Sequence, residues 1–418
     1  MTLDLLLLGI VLTLLQIVAA LPWMAALTWD WLWPQLQQLS RRKLAGRVLR
    51  VLIVIFGPGL AYGLSLAFQR DPIALEWWGR VYAFILQGQL IADFFVLGFA
   101  AWLRIWPKGT AVAMAAFREG VRQPTFWLIL CIALVLMFFF VLTPFFTITD
   151  DTIMMKELDY NLIMVSAVLF GVMAASMSIS EEIEGRTAVT LMSKPVSRRQ
   201  FLLGKFAGNL LAALLMTMIF GWLFNWFILL KVKVVDPPFV QDPNAPPPIP
   251  SELAWMLHRW VPPGEMTHFF RGVGLWVFDL GDIWPGLGLG FCQVTVLLAV
   301  AVTLATRLPL IVNIVSCAFI YVVGHLAPVL VQNTEYSLSK QPDRQDVVLQ
   351  MVHFIAKMLY TILPGMDFFS VGPALVNDPP LPVWGFSLYV GSAALYASFY
   401  TAIILIVGLI LFEDRDLA

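Results

Sequence analysis

Long apolar runs separated by short polar stretches dominate this chain. A helix needs about 20 apolar residues to cross the hydrocarbon core of a bilayer. Nine stretches reach that length: roughly 5–27, 47–68, 81–103, 126–148, 161–180, 206–230, 284–305, 308–331 and 384–411. The pattern predicts an all-α polytopic membrane protein with nine transmembrane helices. Three spans precede a polar linker at 105–125 and six follow it, giving an accessory region 1–104 and a core 126–418. Within the core a polar loop occupies 181–205, and two longer loops occupy 231–283 and 332–383. The seventh and eighth spans meet at the short link Ala305-Thr306-Arg307-Leu308-Pro309, which suits an antiparallel pair.

The loops have signatures of their own. The stretch DPPFVQDPNAPPPIP holds seven prolines in fifteen residues, so extended polyproline-like chain is expected there. Trp276 and Trp284, further on, look like aromatic anchors at a bilayer surface. The second long loop carries a helical pattern from Val347 to Leu363, stopped at Pro364-Gly365.

Composition narrows the class. At 60% hydrophobic and 13% charged residues, with mean hydropathy +0.83, the chain is excluded from the ordinary soluble proteins. A net charge of -1, with basic residues scattered over the loops, argues against a nucleic-acid partner. Cys131, Cys292 and Cys317 all lie in apolar runs without CxxC spacing, which predicts no disulfide framework. The first run has Asp4 before it and Arg41, Arg42 and Lys43 after it, the flanks of a retained span rather than of a cleaved signal.

The densest charge lies in EEIEGRTAVTLMSKPVSRRQFLLGK, residues 181–205. Glu181, Glu182 and Glu184 come first, Gly185 permits a turn, and Arg186 to Ser193 is long enough for about two helical turns. Pro195 breaks the chain, and Ser197 followed by Gln200 fits a capping box that starts a new helix. Upstream, AVAMAAFREGVRQPTFW predicts a short amphipathic helix ended near Pro124, with Phe117 and Val121 toward lipid and Arg118, Glu119 and Arg122 toward water.

This order of parts resembles the type-2 ABC transporter permeases, the membrane subunits of ATP-driven exporters. In that family an acidic residue, a glycine, a short coupling helix and a KPVSR…LLGK tail recur in the cytoplasmic loop between the second and third core spans. The matching residues here are Glu182 or Glu184, Gly185, Leu191, Lys194, Pro195, Val196, Ser197, Arg198, Leu203, Gly204 and Lys205. The helix before residue 124 resembles the family's elbow helix, and LYTILPGMDFF resembles its outer segment before the last span. The resemblance covers roughly 108–418, and the charged ending LILFEDRDLA departs from it in being acidic where basic residues are common.

The resemblance implies a division of labour. A separate cytoplasmic ATPase chain would carry ATP and Mg, docking on Glu181, Glu182, Glu184, Gly185, Arg186, Leu191, Lys194, Pro195, Ser197 and Arg198. A second permease copy, as homodimer or heterodimer, would complete the transporter in the plasma (inner) membrane of a prokaryote. With 181–205 on the cytoplasmic side, the basic residues Arg104, Lys108, Arg118, Arg122 and Arg307 share that side, as does the C-terminus. One branch of the family is linked to maturation of multi-copper enzymes. Met173 and Met177, one helical turn apart, offer thioethers of the kind that bind Cu(I), but methionine also fills gaps in cores. The four histidines have no ligand spacing, so no metal is assigned.

The chain itself is not expected to be an enzyme or to bind a cofactor. Gly204-Lys205 has no glycine four residues earlier and is followed by Phe206, so no phosphate-cradling Walker A loop is present, and HExxH is absent. Asn209, Asn225 and Asn313, with Met173 and Met177, are candidates for a pathway or a helix interface. Asp93 lies within the third span, where a carboxylate must face protein or water. It supports a rival reading as an ion-coupled carrier. A third reading is a non-transporting scaffold for an ATPase or an enzyme-maturation complex.

Overall fold

The computed structural model describes residues 3–37, 62, 64–66, 68–69, 71–144, 151–184, 197–232, 250–261, 263–340, 347–370 and 383–413. Over these residues the helices are α1 Leu3–Gln37, α2 Pro72–Ile105, α3 Pro107–Arg122, α4 Pro124–Leu142, α5 Asp151–Glu184 and α6 Arg198–Leu230. They continue with α7 Ser251–Trp260, α8 Glu265–Ala305, α9 Leu310–Lys340, α10 Val347–Ile362 and α11 Val383–Glu413. A 3-10 turn, Met366–Phe369, lies between the last two. Among the described residues eight helices are long and apolar enough to span a membrane, and the expected span 47–68 lies largely outside them. The chain is an all-α polytopic membrane protein, without strands among the described residues.

The helices divide into two units. The first holds residues 1–105 and 237–281, the second 106–236 and 282–418. In the first unit the early turns of α8 lie against α2 with almost no side chain between them. A Cβ on Gly79 would collide with the Phe269 carbonyl, and one on Gly272 with the Glu76 carbonyl. Close backbone approach of this kind is how membrane helices gain packing contacts where lipid is as apolar as leucine. Around the crossing, Arg80 donates to Asp279 Oδ2 at 3.1 Å, and Glu76 lies 3.7 Å from Arg80 and 3.3 Å from Arg271. Trp276, expected as a surface anchor, is buried instead, and its Nε1–H donates to Gln87 Oε1 at 3.0 Å. An indole whose N–H has a protein acceptor can be buried without penalty.

In the second unit α4, α5, α6, α8, α9 and α11 surround two apolar clusters. One is built on Phe126, Phe170, Phe220 and Phe224, the other on Ala175, Ile179, Leu202 and Phe412. The α8–α9 turn at Thr306–Pro309 makes these helices antiparallel, and Asn313 bonds across it to the Ala301 carbonyl at 2.9 Å. The helix expected at 347–363 is α10, which runs antiparallel to α9. Thr334 Oγ1 meets His353 Nδ1 at 2.9 Å, and Met366 packs against Gly324 one stretch lower. Gly365 N–H donates to the Tyr396 hydroxyl at 3.0 Å, seating the Pro364-Gly365 turn beside α11.

Candidate functional site

The site is assembled around the root of the polar loop. α6 begins where the sequence chemistry says it should. The Ser197 hydroxyl accepts from Gln200 N–H at 3.2 Å, and Gln200 Oε1 accepts from Ser197 N–H at 3.2 Å, a complete capping box. Gly185, Arg186, Leu191, Lys194 and Pro195 lie outside the described residues, and Glu181, Glu182 and Glu184 close α5 with side chains outside them. Ser197 and Arg198 are therefore the docking candidates whose side-chain geometry is available. Arg198 Nη1 donates to the carbonyls of Phe412 at 3.2 Å and Glu413 at 2.9 Å, and Arg199 pairs with the Glu413 carboxylate at 2.9 Å. A cation on the last carbonyls of α11 meets the negative end of that helix. Phe201 stacks on Phe412 at a centroid separation of 6.0 Å.

α3 occupies the place of the short helix expected before residue 124. Pro107 starts it, and Gln123 in extended geometry followed by Pro124 at the head of α4 turns the chain out of it. Its buried residues are Gly109, Thr110, Ala113, Ala116 and Gly120, one narrow stripe of small side chains. Opposite lies a matching stripe on α6, Gly204, Gly208 and Ala212. A Cβ on Gly204 would stand 2.7 Å from Val112 Cβ and 2.9 Å from the Gly109 carbonyl. One on Gly208 would meet Ala116 Cβ at 2.6 Å and collide with the Ala113 carbonyl. Any larger side chain at either glycine forces the helices apart.

The crossing also brings two opposite charges together. Lys205 follows Gly204 directly and so points along the same interface, where its side chain is 4% exposed. Its ammonium donates to Glu119 Oε2 of α3 at 3.2 Å and to Ser178 Oγ of α5 at 2.8 Å. Ser178 in turn donates to Glu119 Oε2 at 3.4 Å. Glu119 was expected to face water with Arg118 and Arg122. Those two arginines are exposed, but Glu119 turns inward to the lysine. Phe117 and Val121, expected toward lipid, pack on the core cluster. The reason is the small-residue stripe, which brings α3 against α6 closely enough for its neighbours to reach the core.

The remaining candidates separate by surroundings. Asn313 donates to Ser176 Oγ at 2.8 Å and accepts from Cys317 Sγ at 3.5 Å, which makes it an interhelical tie between α9 and α5. Asn209 and Asn225 are each 1% exposed on α6. Met173 and Met177 are half-buried on α5, while Ala174, Ala175, Ser176 and Ser178 are buried. Asp93 is 6% exposed within α2 of the first unit, so it does not face lipid. No group of three or more His, Cys, Asp or Glu side chains suited to a metal occurs among the described residues. Two residues of consequence carried no sequence motif. One is Gln293, whose Nε2–H donates to His325 Nε2 at 3.2 Å while His325 Nδ1–H donates to the Tyr321 carbonyl at 2.9 Å. The other is Asp159 of α5, fully buried, with neither carboxylate oxygen partnered among the described residues.

Three helices, α3, α5 and α6, converge on one lysine at the root of the polar loop, and α11 is pinned to the start of α6. Residues 110–242 match the family model described as ABC-2 family transporter protein. That stretch begins in α3 and ends after α6, so it contains the whole three-helix junction. No curated protein and no solved structure matches the chain.

Proposed function

We propose that this chain is a membrane subunit of a type-2 ABC transporter, a reading supported by the match of residues 110–242 to the ABC-2 family transporter model, and that it couples ATP hydrolysis by a separate cytoplasmic ATPase chain to export of a substrate across the plasma membrane. The observation that carries this reading is the Lys205–Glu119–Ser178 junction at the root of the loop 181–205. A force on that loop enters α5 and α6 at their ends. The junction joins those ends to α3 within a few residues, so the three helices move as one body. Rigid-body displacement of packed helices is the usual way a small movement becomes a change of state. The exposed Lys108, Arg118 and Arg122 of α3 suit the anionic cytoplasmic face of a membrane. One permease chain supplies one half of a transporter, so a second copy or a related permease completes the assembly.

The test is affinity purification of the tagged chain in mild detergent, wild type against the E182A/E184A/L191A variant. An ATPase that co-purifies with wild type and is lost from the variant supports the reading. Absence of any ATPase from the wild type, even after crosslinking in membranes, overturns it and brings the Asp93 carrier forward.

A further inference from the structure

Residues 1–105 of the first unit lie outside the matched stretch and contain a cavity of about 330 Å³ between α1, Tyr62 and α2. Its volume falls at the lower end of the range for small-molecule sites, roughly 300 to 1,000 Å³. Most of its wall is apolar, with Leu12, Ile17, Ala20 and Ile85 among the side chains, and no charged side chain lines it among the described residues. Such a wall rejects an ionic ligand and accepts a hydrocarbon body.

The hydroxyls at its edge have no hydrogen left to give. Each hydroxyl has already given its hydrogen to a backbone carbonyl: Thr13 to Gly9 at 2.7 Å, Tyr82 to Leu12 at 3.0 Å and Tyr62 to Trp78 at 3.0 Å. Gln16 Oε1 and Gln89 Oε1 are both shielded from solvent and have no hydrogen-bond partner among the described residues. Two buried amide oxygens left unsatisfied beside an apolar cavity are unfavourable, and a guest that brings donors removes that penalty. We propose that this cavity binds a neutral amphiphile with one hydrocarbon chain and a head carrying hydroxyl donors, the chain against α1 and α2 and the head on Gln16 and Gln89. A monoacylglycerol has this chemistry. The methyl ester of the same fatty acid keeps the chain and offers acceptors alone.

The experiment uses the full-length chain in phosphatidylcholine nanodiscs with a photoreactive medium-chain monoacylglycerol, mapping labelled peptides by mass spectrometry. Labelling is expected in the peptides carrying residues 12–24 and 82–89. Unlabelled monoacylglycerol should compete at least tenfold better than the methyl ester. Each of Q16L and Q89L should weaken competition about fivefold, the loss of one hydrogen bond. I85W, at the exposed lip of the cavity, should block labelling by filling it while leaving both glutamines in place. Equal competition by the two ligands, labelling spread evenly over the exposed leucines of α1, or labelling that survives I85W would each overturn the proposal. ATPase co-purification by the I85W chain distinguishes failure here from failure of the transport reading.

Discussion

Lys205 and Glu119 are bonded to each other but differ in exposure, and that difference makes their substitutions unequal. The lysine side chain is 4% exposed and the glutamate 41%. Glu119→Ala leaves an ammonium in a dry interface with its carboxylate gone. Breaking a fully buried pair in this way costs about 3 to 5 kcal/mol, and water at the half-exposed glutamate screens the pair, which brings the figure to about 2 kcal/mol. Lys205→Met keeps the apolar stem and removes the charge that needed a partner, while the glutamate turns to water, so the cost falls to about 0.5 to 1 kcal/mol. In the double variant the stranded ammonium no longer exists, and its stability should return to that of Lys205→Met alone. The coupling is then about 2 kcal/mol, roughly a thirtyfold change in the unfolding equilibrium. Reversible unfolding in mixed micelles, read by tryptophan fluorescence, measures all four corners of the cycle. Equal losses from the two single variants, adding without recovery in the double, would refute the burial argument.

The glycine crossing makes a sharper structural prediction. Gly208→Val should destabilise the chain by about 3 kcal/mol or more through overpacking. Gly391→Ala, where nothing lies within 4 Å of the new methyl, should be neutral or mildly stabilising by the same unfolding assay. Asp159→Asn replaces a fully buried carboxyl group with no hydrogen-bond partner among the described residues, so the thermal midpoint of the purified protein should rise, and a fall would show that the carboxyl group is paired in the membrane. Ser197→Ala should cost about 1 kcal/mol and speed amide hydrogen exchange across residues 198–201 while leaving the rest of α6 protected.

Where a structural feature depends on one segment alone, the sequence displays it. The capping box at Ser197 and Gln200 and the span of α10 follow from local chemistry, and both appear within a residue of their expected places. α8 is different. Hydropathy starts it near residue 284, yet the helix begins at Glu265. The residues that break the apolar run, Arg271 and Asp279, are the ones paired with Glu76 and Arg80 of α2. A charge counted against a span in a sliding window is neutralised by a partner nearly 200 positions away in the chain, and no window contains both. The same holds for Trp276, which reads as a surface anchor until Gln87 supplies its acceptor.

The root of the loop was half visible for a related reason. The tail Leu203-Gly204-Lys205 stood out as a pattern, but a lysine next to a polar loop reads as a solvated residue, and so does Glu119 on an amphipathic helix. What buries the lysine and brings the glutamate to it is the spacing of small residues, Gly204, Gly208 and Ala212 on α6 against Gly109, Ala113, Ala116 and Gly120 on α3. Amphipathicity weighs apolar against charged positions and does not see small against large, so the stripe that sets the interface escaped it. Once the two backbones approach to glycine distance, Lys205 has nowhere to go but the interface, and the one carboxylate within reach on α3 must turn inward to meet it. The pair thus follows from the crossing rather than causing it. Enlarging Gly208 should therefore abolish the Lys205–Glu119 coupling energy, whereas removing Lys205 should leave the α3–α6 crossing in place.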